Sequence, residues 1–130
     1  VAALLKDSNS NVRRAAADAL GQMQAKDIAA NVAALLKDSN SDVRSAAADA
    51  LGQMQAKDFA ANVAALLKDS NSDVRYYAAS ALAQMQAKDF AANVAALLKD
   101  SDTYVRSAAA SALGQMQAKD FAANVAALLK

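Results

Sequence analysis

The sequence predicts an all-α solenoid, in which short helical units stack in one direction and bury their apolar faces against one another. The hexapeptide VAALLK recurs at Val1, Val32, Val63, Val94 and Val125, which sets a period of 31 residues, and 23 of the 31 columns are identical in the four full copies. Each copy holds two segments with helical periodicity, and no segment shows the two-residue alternation of a strand. Repeats of this length are typical of solenoids.

The first helix of each repeat is predicted from an apolar stripe. In VRSAAADALGQM (43–54), the apolar residues Val43, Ala47, Ala50, Leu51 and Met54 recur at the spacing of one helix face. The methionine that ends this stripe recurs in all four copies, and we expect it to pack in the core. A glycine inside ALGQM lowers helix propensity, so we expect neighbouring helices to approach closely there.

The second helix follows the same pattern in KDFAANVAALLK (57–68), where Phe59, Val63, Leu66 and Leu67 form the stripe. The turn DSNSD separates it from the next first helix, because these side chains bond their own backbone and compete with helix continuation. The residues in the N-cap position are Asn9, Asn40, Asn71 and Asp102. The other connection, QAKD, contains neither Gly nor Pro, so the helix end before it is weakly marked.

Composition limits the possible functions. The net charge is +1, which leaves no excess charge to neutralise nucleic acid or an anionic membrane, so neither is an expected partner. We expect a soluble chain, cytoplasmic if the protein is natural, because no apolar run has the length of a spanning helix and the first residues lack a signal-peptide pattern. The absence of cysteine excludes disulfides and thiolate metal sites and says nothing about the compartment.

The string ALGQMQAKDFAANVAALLKDSNSDVR (50–75), together with the 31-residue period, resembles the HEAT-like repeats of phycobilisome lyase-type proteins and of the artificial helical scaffolds built from them. The resemblance covers residues 1–130 and implies a single right-handed α-solenoid domain of about four repeats, with truncated half-repeats at both ends. Family repeats often carry Gly-Asp-Pro where this chain has Gln55, Ala56 and Lys57.

The resemblance also assigns the two helices to opposite surfaces. It implies concave helices near 10–23, 41–54, 72–85 and 103–116, and convex helices near 27–37, 58–68, 89–99 and 120–130, with a truncated one at 1–6. In such repeats the aspartate of LLKD and the arginine six residues later form a ladder of charge-assisted hydrogen bonds that joins successive repeats. The residues of this ladder are Asp7, Asp38, Asp69 and Asp100 with Arg13, Arg44, Arg75 and Arg106. We favour this structural reading over an acidic metal site.

Catalysis is not predicted. The chain has no His, Cys or Glu, which removes most general bases and the common activated nucleophiles, and its serines have no base nearby in sequence. No active-site residue of the lyases can be matched, and the iron-binding His-Glu pairs of HEAT-like hydroxylases are missing. We therefore expect no enzyme activity, no cofactor and no metal.

Eight columns vary between copies, and five of them, represented by Ser10, Asn11, Arg14, Ala15 and Asp18, follow the i, i+3, i+4, i+7 rule along one helix face. This face lies opposite the apolar stripe, so it is predicted to face solvent, and in the concave assignment it lines the groove. Artificial HEAT-like scaffolds diversify the same columns to make binders, together with the constant column of Gln22. Variation confined to one exposed stripe is typical of a recognition surface on a fixed frame.

The stripe changes character along the chain. Its first half is charged, whereas its second half holds all three tyrosines among small hydroxyl residues, a composition typical of binding surfaces. We favour recognition over chance clustering, because Tyr77 and Tyr104 replace Ala46 and Asn11 or Asp42, so the frame does not require the tyrosines to be buried. The predicted partner-binding residues are Tyr76, Tyr77, Tyr104, Ser80, Thr103, Ser107, Ser111, Asp73, Arg14, Asp18, Asp42, Ser45 and Asp49.

The predicted function is therefore non-catalytic recognition of a protein partner through the concave face. The near-identity of the copies indicates either a consensus-type artificial protein or a recent natural amplification. A structural role is the alternative, because solenoids normally end in polar capping repeats whereas this chain starts and ends with the same VAALLK. In that reading, copies assemble end to end, and solution size against concentration separates it from a monomeric binding module.

Overall fold

The computed structural model describes residues 2–129, and this part of the chain forms helices without a strand. Four long helices alternate with four short ones, as the sequence predicts. The long helices are α1 (Ser10–Gln22), α3 (Ser41–Gln53), α5 (Ser72–Gln84) and α7 (Thr103–Gln115), and the short ones are α2 (Ala29–Ala34), α4 (Ala60–Ala65), α6 (Ala91–Ala95) and α8 (Ala122–Ala126). Ala2–Lys6 forms a 3₁₀ helix. Val1, the first residue of the truncated convex helix predicted at 1–6, and Lys130, the last residue of the one predicted at 120–130, lie outside the described residues.

The long helices begin at the predicted N-caps. The side chain of Asn40 accepts hydrogen bonds from the backbone N–H groups of Asp42 and Val43, at 2.8 and 3.2 Å. Asp102 does the same for the first turn of α7. Each cap satisfies donors that have no partner inside the helix, which explains why the helix starts at the same column in every repeat.

The long helices end at a left-handed residue that the sequence marks weakly. Gln24, Gln55, Gln86 and Gln117 have φ angles of 52–54°. In the second repeat the N–H of Gln55 donates to the carbonyl of Gly52, and the N–H of Ala56 donates to that of Leu51, both at 3.0 Å, as in a Schellman motif. Glycine is the usual residue at this position because it has no Cβ to clash, which explains the family preference for Gly where this chain has Gln55.

The four full convex helices lie where the sequence places them, but each consists of a short α-helix with a 3₁₀ turn on either side. In the second repeat, a 3₁₀ turn at Lys57–Phe59 precedes α4, and another at Leu66–Lys68 follows it. The second turn ends with the N–H of Asp69 donating to the carbonyl of Leu66, at 3.1 Å. Bonds of this type tighten the last helical turn and satisfy its carbonyls, so the chain can leave in an extended conformation at Asp69.

One hydrophobic core runs between the layers of long and short helices. Val43, Leu51 and Met54 of the second repeat are fully buried, as the apolar stripe predicts, and Val63 of the short helix packs in the same core. Successive long helices lie in close contact, whereas successive short helices approach one another less closely. Because the more tightly spaced layer lies on the inside of a curved stack, the exposed face of the long helices is here termed the concave face.

Glycine permits this close spacing, as predicted. A Cβ on Gly52 would lie 2.9 Å from the Cα of Ala81 on α5, and a Cβ on Gly21 would lie equally near the Cα of Ala50. In the third repeat Ala83 takes the same column and is buried. Ala83 lies on α5, so the boundary between α5 and α7 accommodates a methyl group in the column where Gly52 stands between α3 and α5.

The Asp–Arg ladder is present and joins neighbouring repeats. Arg75 Nε donates to Asp100 Oδ1 at 2.9 Å, and Arg75 Nη2 donates to Asp100 Oδ2 at 3.1 Å. The aspartate six residues before this arginine, Asp69, instead accepts with its backbone carbonyl, from Arg75 Nη1 at 2.8 Å. The same geometry links Arg13 to Asp38 and Arg44 to Asp69. Each arginine therefore fixes its own turn and the next repeat, which holds the long helices in register.

Candidate functional site

The variable columns lie on the concave face, on four adjacent long helices. Most of the predicted binding residues are exposed or half-buried there: Tyr76, Tyr77, Tyr104, Ser80, Thr103, Ser107, Ser111, Asp73, Arg14, Asp18, Asp42 and Asp49. The ladder and the glycine contacts position these side chains, since both fix the spacing of the helices. The face is therefore a continuous surface whose composition changes from repeat to repeat.

The prediction that Ser45 faces solvent is wrong. Its residue surface is 7% exposed, and its hydroxyl oxygen has no hydrogen-bond partner among the described residues. Ser107 occupies the same column of α7 and is exposed. The difference arises because α3 is flanked by long helices on both sides, so a small side chain on its inner surface lies below its larger neighbours, whereas α7 is flanked on one side.

Tyr76 and Tyr77 form a ridge across the concave face. Their ring centroids lie 5.2 Å apart with an interplanar angle of 77°, an edge-to-face arrangement. The two residues remain 38% and 39% exposed, so the pair presents aromatic surface to solvent while each ring supports the other. This pair is termed the tyrosine ridge.

On the N-terminal side of the ridge lies an acidic pocket of about 320 Å³. Four carboxylates and one guanidinium line it, and Ser45 and Ala46 contribute small side chains. Its residues are Arg14, Asp18, Asp42, Ser45, Ala46, Asp49, Asp73 and Tyr77. The pocket therefore joins three successive long helices and carries an excess of negative charge.

Charge and burial act on this pocket together. Burial raises the pKa of Asp18 above its usual value, the positive charge of Arg14 opposes this rise, and the negative charge of Asp49 adds to it. Asp49 accepts a hydrogen bond from Gln53 Nε2 at 2.9 Å. The carboxylates thus repel one another in a partly desolvated recess, which favours occupation by a positive group.

On the other side of the ridge lies a hydroxyl pocket of about 250 Å³. It is lined by Tyr76, Ser80, Ala83, Ser107, Ala108, Ser111, Ala112 and Gln115. The predicted binding residues omit Gln115, which lies in the constant column of Gln22, and the alanines, although Ala108 shares the variable column of Tyr77. The pocket offers hydroxyl and amide groups without a formal charge.

Tyr104 and Thr103 line neither pocket. Tyr104 is 74% exposed at the start of α7, and the Thr103 hydroxyl accepts a hydrogen bond from Arg106 Nη2 at 3.2 Å. Among the described residues, the close aromatic pair is Tyr76 with Tyr77. Tyr104 therefore extends the surface beyond the ridge and is not packed into it.

The described residues provide neither a metal-binding cluster nor a membrane-spanning helix. Across residues 2–129 no cluster of three or more potential ligands among His, Cys, Asp and Glu is arranged to hold a metal ion. In the same range no helix combines the length and the apolar character that a membrane crossing requires.

The chain belongs to the HEAT repeat family. A family model described as HEAT repeats matches residues 1–67 and 59–130. No curated protein sequence matches the chain at a significant level. The family therefore accounts for the whole repeat array, and it leaves the individual residues of the concave face unexplained.

Solved structures with a similar fold include a natural and an engineered protein. One is a chain in the complex of CpcE and CpcF of phycocyanin lyase from Nostoc sp. PCC7120, with a TM-score of 0.84 and 24% identity over 92% of this chain and 53% of that chain. An engineered protein matches with a TM-score of 0.70 and 22% identity over 88% of this chain and 60% of that chain. This chain thus spans a little over half the length of each, and at these identities the likeness concerns the fold.

Proposed function

We propose that this HEAT repeat protein is a non-catalytic recognition module that binds a protein partner through the concave face. The observation that carries the proposal is the tyrosine ridge: two exposed aromatic rings packed edge to face between two pockets of different chemistry. Large aromatic side chains next to recesses are the usual anchors of protein interfaces. The pockets give the partner a place for side chains on both sides of the anchor.

The frame supports binding because it is ordered before the partner arrives. Bidentate Arg–Asp pairs at 2.9–3.1 Å connect successive long helices, and the glycine column brings the helix backbones together. A surface held in this way loses little conformational entropy on association, so more of the contact energy is retained as affinity.

The non-catalytic part of the proposal rests on the composition. Among the groups that commonly transfer protons or attack substrates, His, Cys and Glu are missing from the chain. The natural structural neighbour comes from a phycocyanin lyase complex, and a fold shared at 24% identity carries no residue role to this chain.

A display library of folded domains and peptides selected on the immobilised chain provides the test. The chain offers its own control sequence, because Tyr76→Ser with Tyr77→Ala restores the residues of the second repeat, Ser45 and Ala46. We expect selected binders to lose affinity by about 30-fold or more with this double variant, the loss typical of removing a central anchor.

The matched control lies on the opposite surface. Lys68 and Asn93 are exposed on the convex side, and we expect Lys68→Ala with Asn93→Ala to leave affinity within about threefold, as is usual outside the energetic centre of an interface. If the convex variant weakens binding and the tyrosine variant does not, binding through the concave face is wrong.

A second candidate function is end-to-end assembly, and the outer face of the last repeat favours it. This face is apolar and lined by residues such as Leu113, Val125 and Leu129, the last of them 88% exposed. Outside its own helix, no atom of the described residues lies within 4 Å of the position that a Cβ on Gly114 would take, in contrast to Gly52. The same columns in interior repeats are covered by the next repeat, so a second copy is a suitable occupant.

The register of such an assembly follows from the repeat. In the period of 31 residues, Arg106 of one copy lies opposite Asp7 of the next, and Gly114 opposite Ala19. The carboxylate of Asp7 accepts a bond from the Asn9 N–H at 2.9 Å and forms no ion pair with an arginine among the described residues. Residues 125–130 repeat residues 1–6, so one of these segments must give way when copies stack in this register.

Sedimentation velocity over a wide concentration range tests the assembly. We expect growth with concentration, its loss in Arg106→Asp and in Asp7→Arg, and its recovery when the two changes are combined. A single monomeric boundary at every concentration rejects end-to-end assembly and leaves concave recognition unaffected.

A further inference from the structure

We infer that the acidic pocket receives one lysine or arginine side chain from the bound partner. The inference rests on the proposed recognition function and specifies the chemistry of the partner: a polypeptide segment that presents a basic side chain to α1, α3 and α5. It depends on three independent features of the pocket, namely its charge, a buried hydroxyl group without a partner and an aromatic wall.

The charge comes from three successive helices. Asp18 lies on α1, Asp42 and Asp49 on α3, and Asp73 on α5, while Arg14 on α1 is the one cation among the lining residues. A positive group placed between these carboxylates relieves their mutual repulsion, and it interacts with several of them at once. Because the pocket is partly desolvated, the attraction is stronger than it is at an open surface.

Ser45 supplies the second feature. The residue is 7% exposed, it lines the pocket, and its hydroxyl oxygen has no hydrogen-bond partner in the described structure. Buried polar groups are almost always satisfied, so a hydroxyl left without a protein partner is available to bond an occupant of the pocket. A serine hydroxyl accepts from an ammonium or guanidinium N–H, and beside four carboxylates this matches a basic side chain better than an apolar one.

Tyr77 supplies the third feature. It lines the pocket and is 39% exposed, so part of its ring is open to an occupant. The face of an aromatic ring attracts lysine and arginine head groups, and their aliphatic stems pack well on aromatic and methyl surface such as Tyr77 and Ala46. The pocket volume of about 320 Å³ accommodates one such side chain. Among the described residues no metal-binding cluster is present, so a bound metal ion is a poorer match.

The probe is a short neutral peptide with one basic residue, acetyl-Gly-Lys-Gly-amide, titrated into the ¹⁵N-labelled chain and followed by NMR. The control peptide replaces lysine by norleucine, which has the same stem without the charge. We expect saturable shifts at the amides of Asp18, Ser45, Asp49 and Tyr77 with the lysine peptide, and at least tenfold weaker binding of the norleucine peptide. Equal binding of both peptides, or no saturable shift in the pocket, overturns the inference.

Two variants of one column separate the pocket from the rest of the surface. Ser45→Ala removes the hydroxyl in the acidic pocket, and Ser107→Ala removes the equivalent hydroxyl from the hydroxyl pocket. We expect the first to weaken lysine-peptide binding about threefold to tenfold and the second to leave it unchanged. Asp49→Asn is expected to weaken it at least tenfold. Equal effects of the two serine variants contradict a role for Ser45.

Salt dependence keeps the inference testable even if a variant fails to fold. Binding of the lysine peptide to the unmodified chain must weaken as ionic strength rises, because the attraction is electrostatic; salt-independent binding overturns the inference. The outcomes also separate the two proposals. If selected partners lose affinity for the tyrosine variant but lysine peptides do not bind, the lysine-binding role of the acidic pocket is wrong and the proposed recognition function stands. If lysine peptides bind but no selected partner depends on the tyrosine ridge, the lysine-binding role of the acidic pocket stands and the proposed recognition function is wrong.

Discussion

The boundary between α3 and α5 and the outer face of α7 are built from nearly the same residues, and they differ in what those residues contact. At the interior boundary a Cβ on Gly52 would lie 2.9 Å from the Cα of Ala81, whereas a Cβ on Gly114 would have no neighbour outside its own helix within 4 Å in the part of the chain that the structure describes. Arg44 forms a bidentate pair with the next repeat, whereas Arg106 bonds within its own repeat and, among residues 2–129, to no aspartate carboxylate. The energetic role of a column is therefore set by the neighbouring repeat as much as by its own helix.

The methionine column gives the largest expected contrast, between an interior repeat and the N-terminal one. Met54 is fully buried, as predicted, whereas the prediction that this methionine packs in the core is wrong for Met23, which is 60% exposed although both follow the sequence ALGQ. We expect Met54→Ala to lower the free energy of unfolding by about 2–5 kcal/mol, the range for emptying a core site, and Met23→Ala to change it by less than about 0.5 kcal/mol. Urea unfolding of both variants measures this, and equal losses contradict the contrast.

The arginine ladder gives the next contrast. Arg75→Ala removes the bidentate partner of Asp100, whose side chain is 10% exposed, so a nearly buried carboxylate loses its main donor. Arg106→Ala removes bonds to the carbonyls of Asp100 and Ser101 and to Thr103 Oγ1. We expect the first variant to cost about 2 kcal/mol more than the second.

Thermal unfolding of the two arginine variants provides the measurement. Arg75→Lys is the control, because it keeps the charge and loses the planar fork that bonds both carboxylate oxygens. An unchanged melting temperature in Arg75→Ala contradicts a structural role for the ladder.

In the glycine column, the same change to alanine is expected to stabilise the protein at one position and to destabilise it at another. Alanine favours helix over glycine by about 1 kcal/mol, so Gly114→Ala on the open face is expected to stabilise the protein by up to that amount. Gly52→Ala gains the same propensity and forces α3 and α5 apart, which costs about 1–3 kcal/mol by overpacking, so we expect a net loss of about 1 kcal/mol. Stabilisation by both variants means that the interior boundary relaxes without cost.

Acid titration gives the smallest effect. Protonation of the ladder aspartates lowers the stability of the fold, whereas protonation of Asp18 in the acidic pocket raises it. Burial alone raises the pKa of Asp38 and of Asp100, but the hydrogen bonds from Arg13 and Arg75, the N–H groups of Asn40 and Asp102 and the nearby arginine charges outweigh it, so both pKa values are lowered. The stability that these carboxylates contribute is present above the unfolded pKa of about 3.9 and is lost as the pH falls through their folded pKa values.

Asp18 acts in the opposite direction. Its pKa is raised by burial and by Asp49, against the effect of Arg14, so protonation favours the folded state and the stabilising effect disappears as the pH rises through the raised pKa. We expect Asp18→Asn to raise the melting temperature at pH 7. We expect Asp100→Asn to lower the melting temperature at pH 7 and to make the melting temperature decrease less as the pH falls below 4. A higher melting temperature at pH 7 for Asp100→Asn contradicts this assignment.

The sequence by itself determined the repeat, the number and order of the helices and most of the core. The apolar stripe through Val43, Leu51 and Met54, the caps at Asn40 and Asp102, and the glycine column report on contacts that recur between interior repeats, so they leave a periodic signal. The left-handed residue at Gln55 left a weak signal, because glutamine is unusual at that position and only the backbone shows the Schellman motif.

Only the tertiary structure decided how the variable face is divided. The spacing of the long helices buried Ser45 while leaving Ser107 exposed, paired Tyr76 with Tyr77, and separated the acidic pocket from the hydroxyl pocket. It also showed that Arg75 reaches the aspartate of the next repeat, 25 residues away, and bonds the backbone of the one six residues before it. A repeat pattern gives the column of each residue, whereas burial and pairing depend on whether another repeat lies against that column, which the local sequence does not encode.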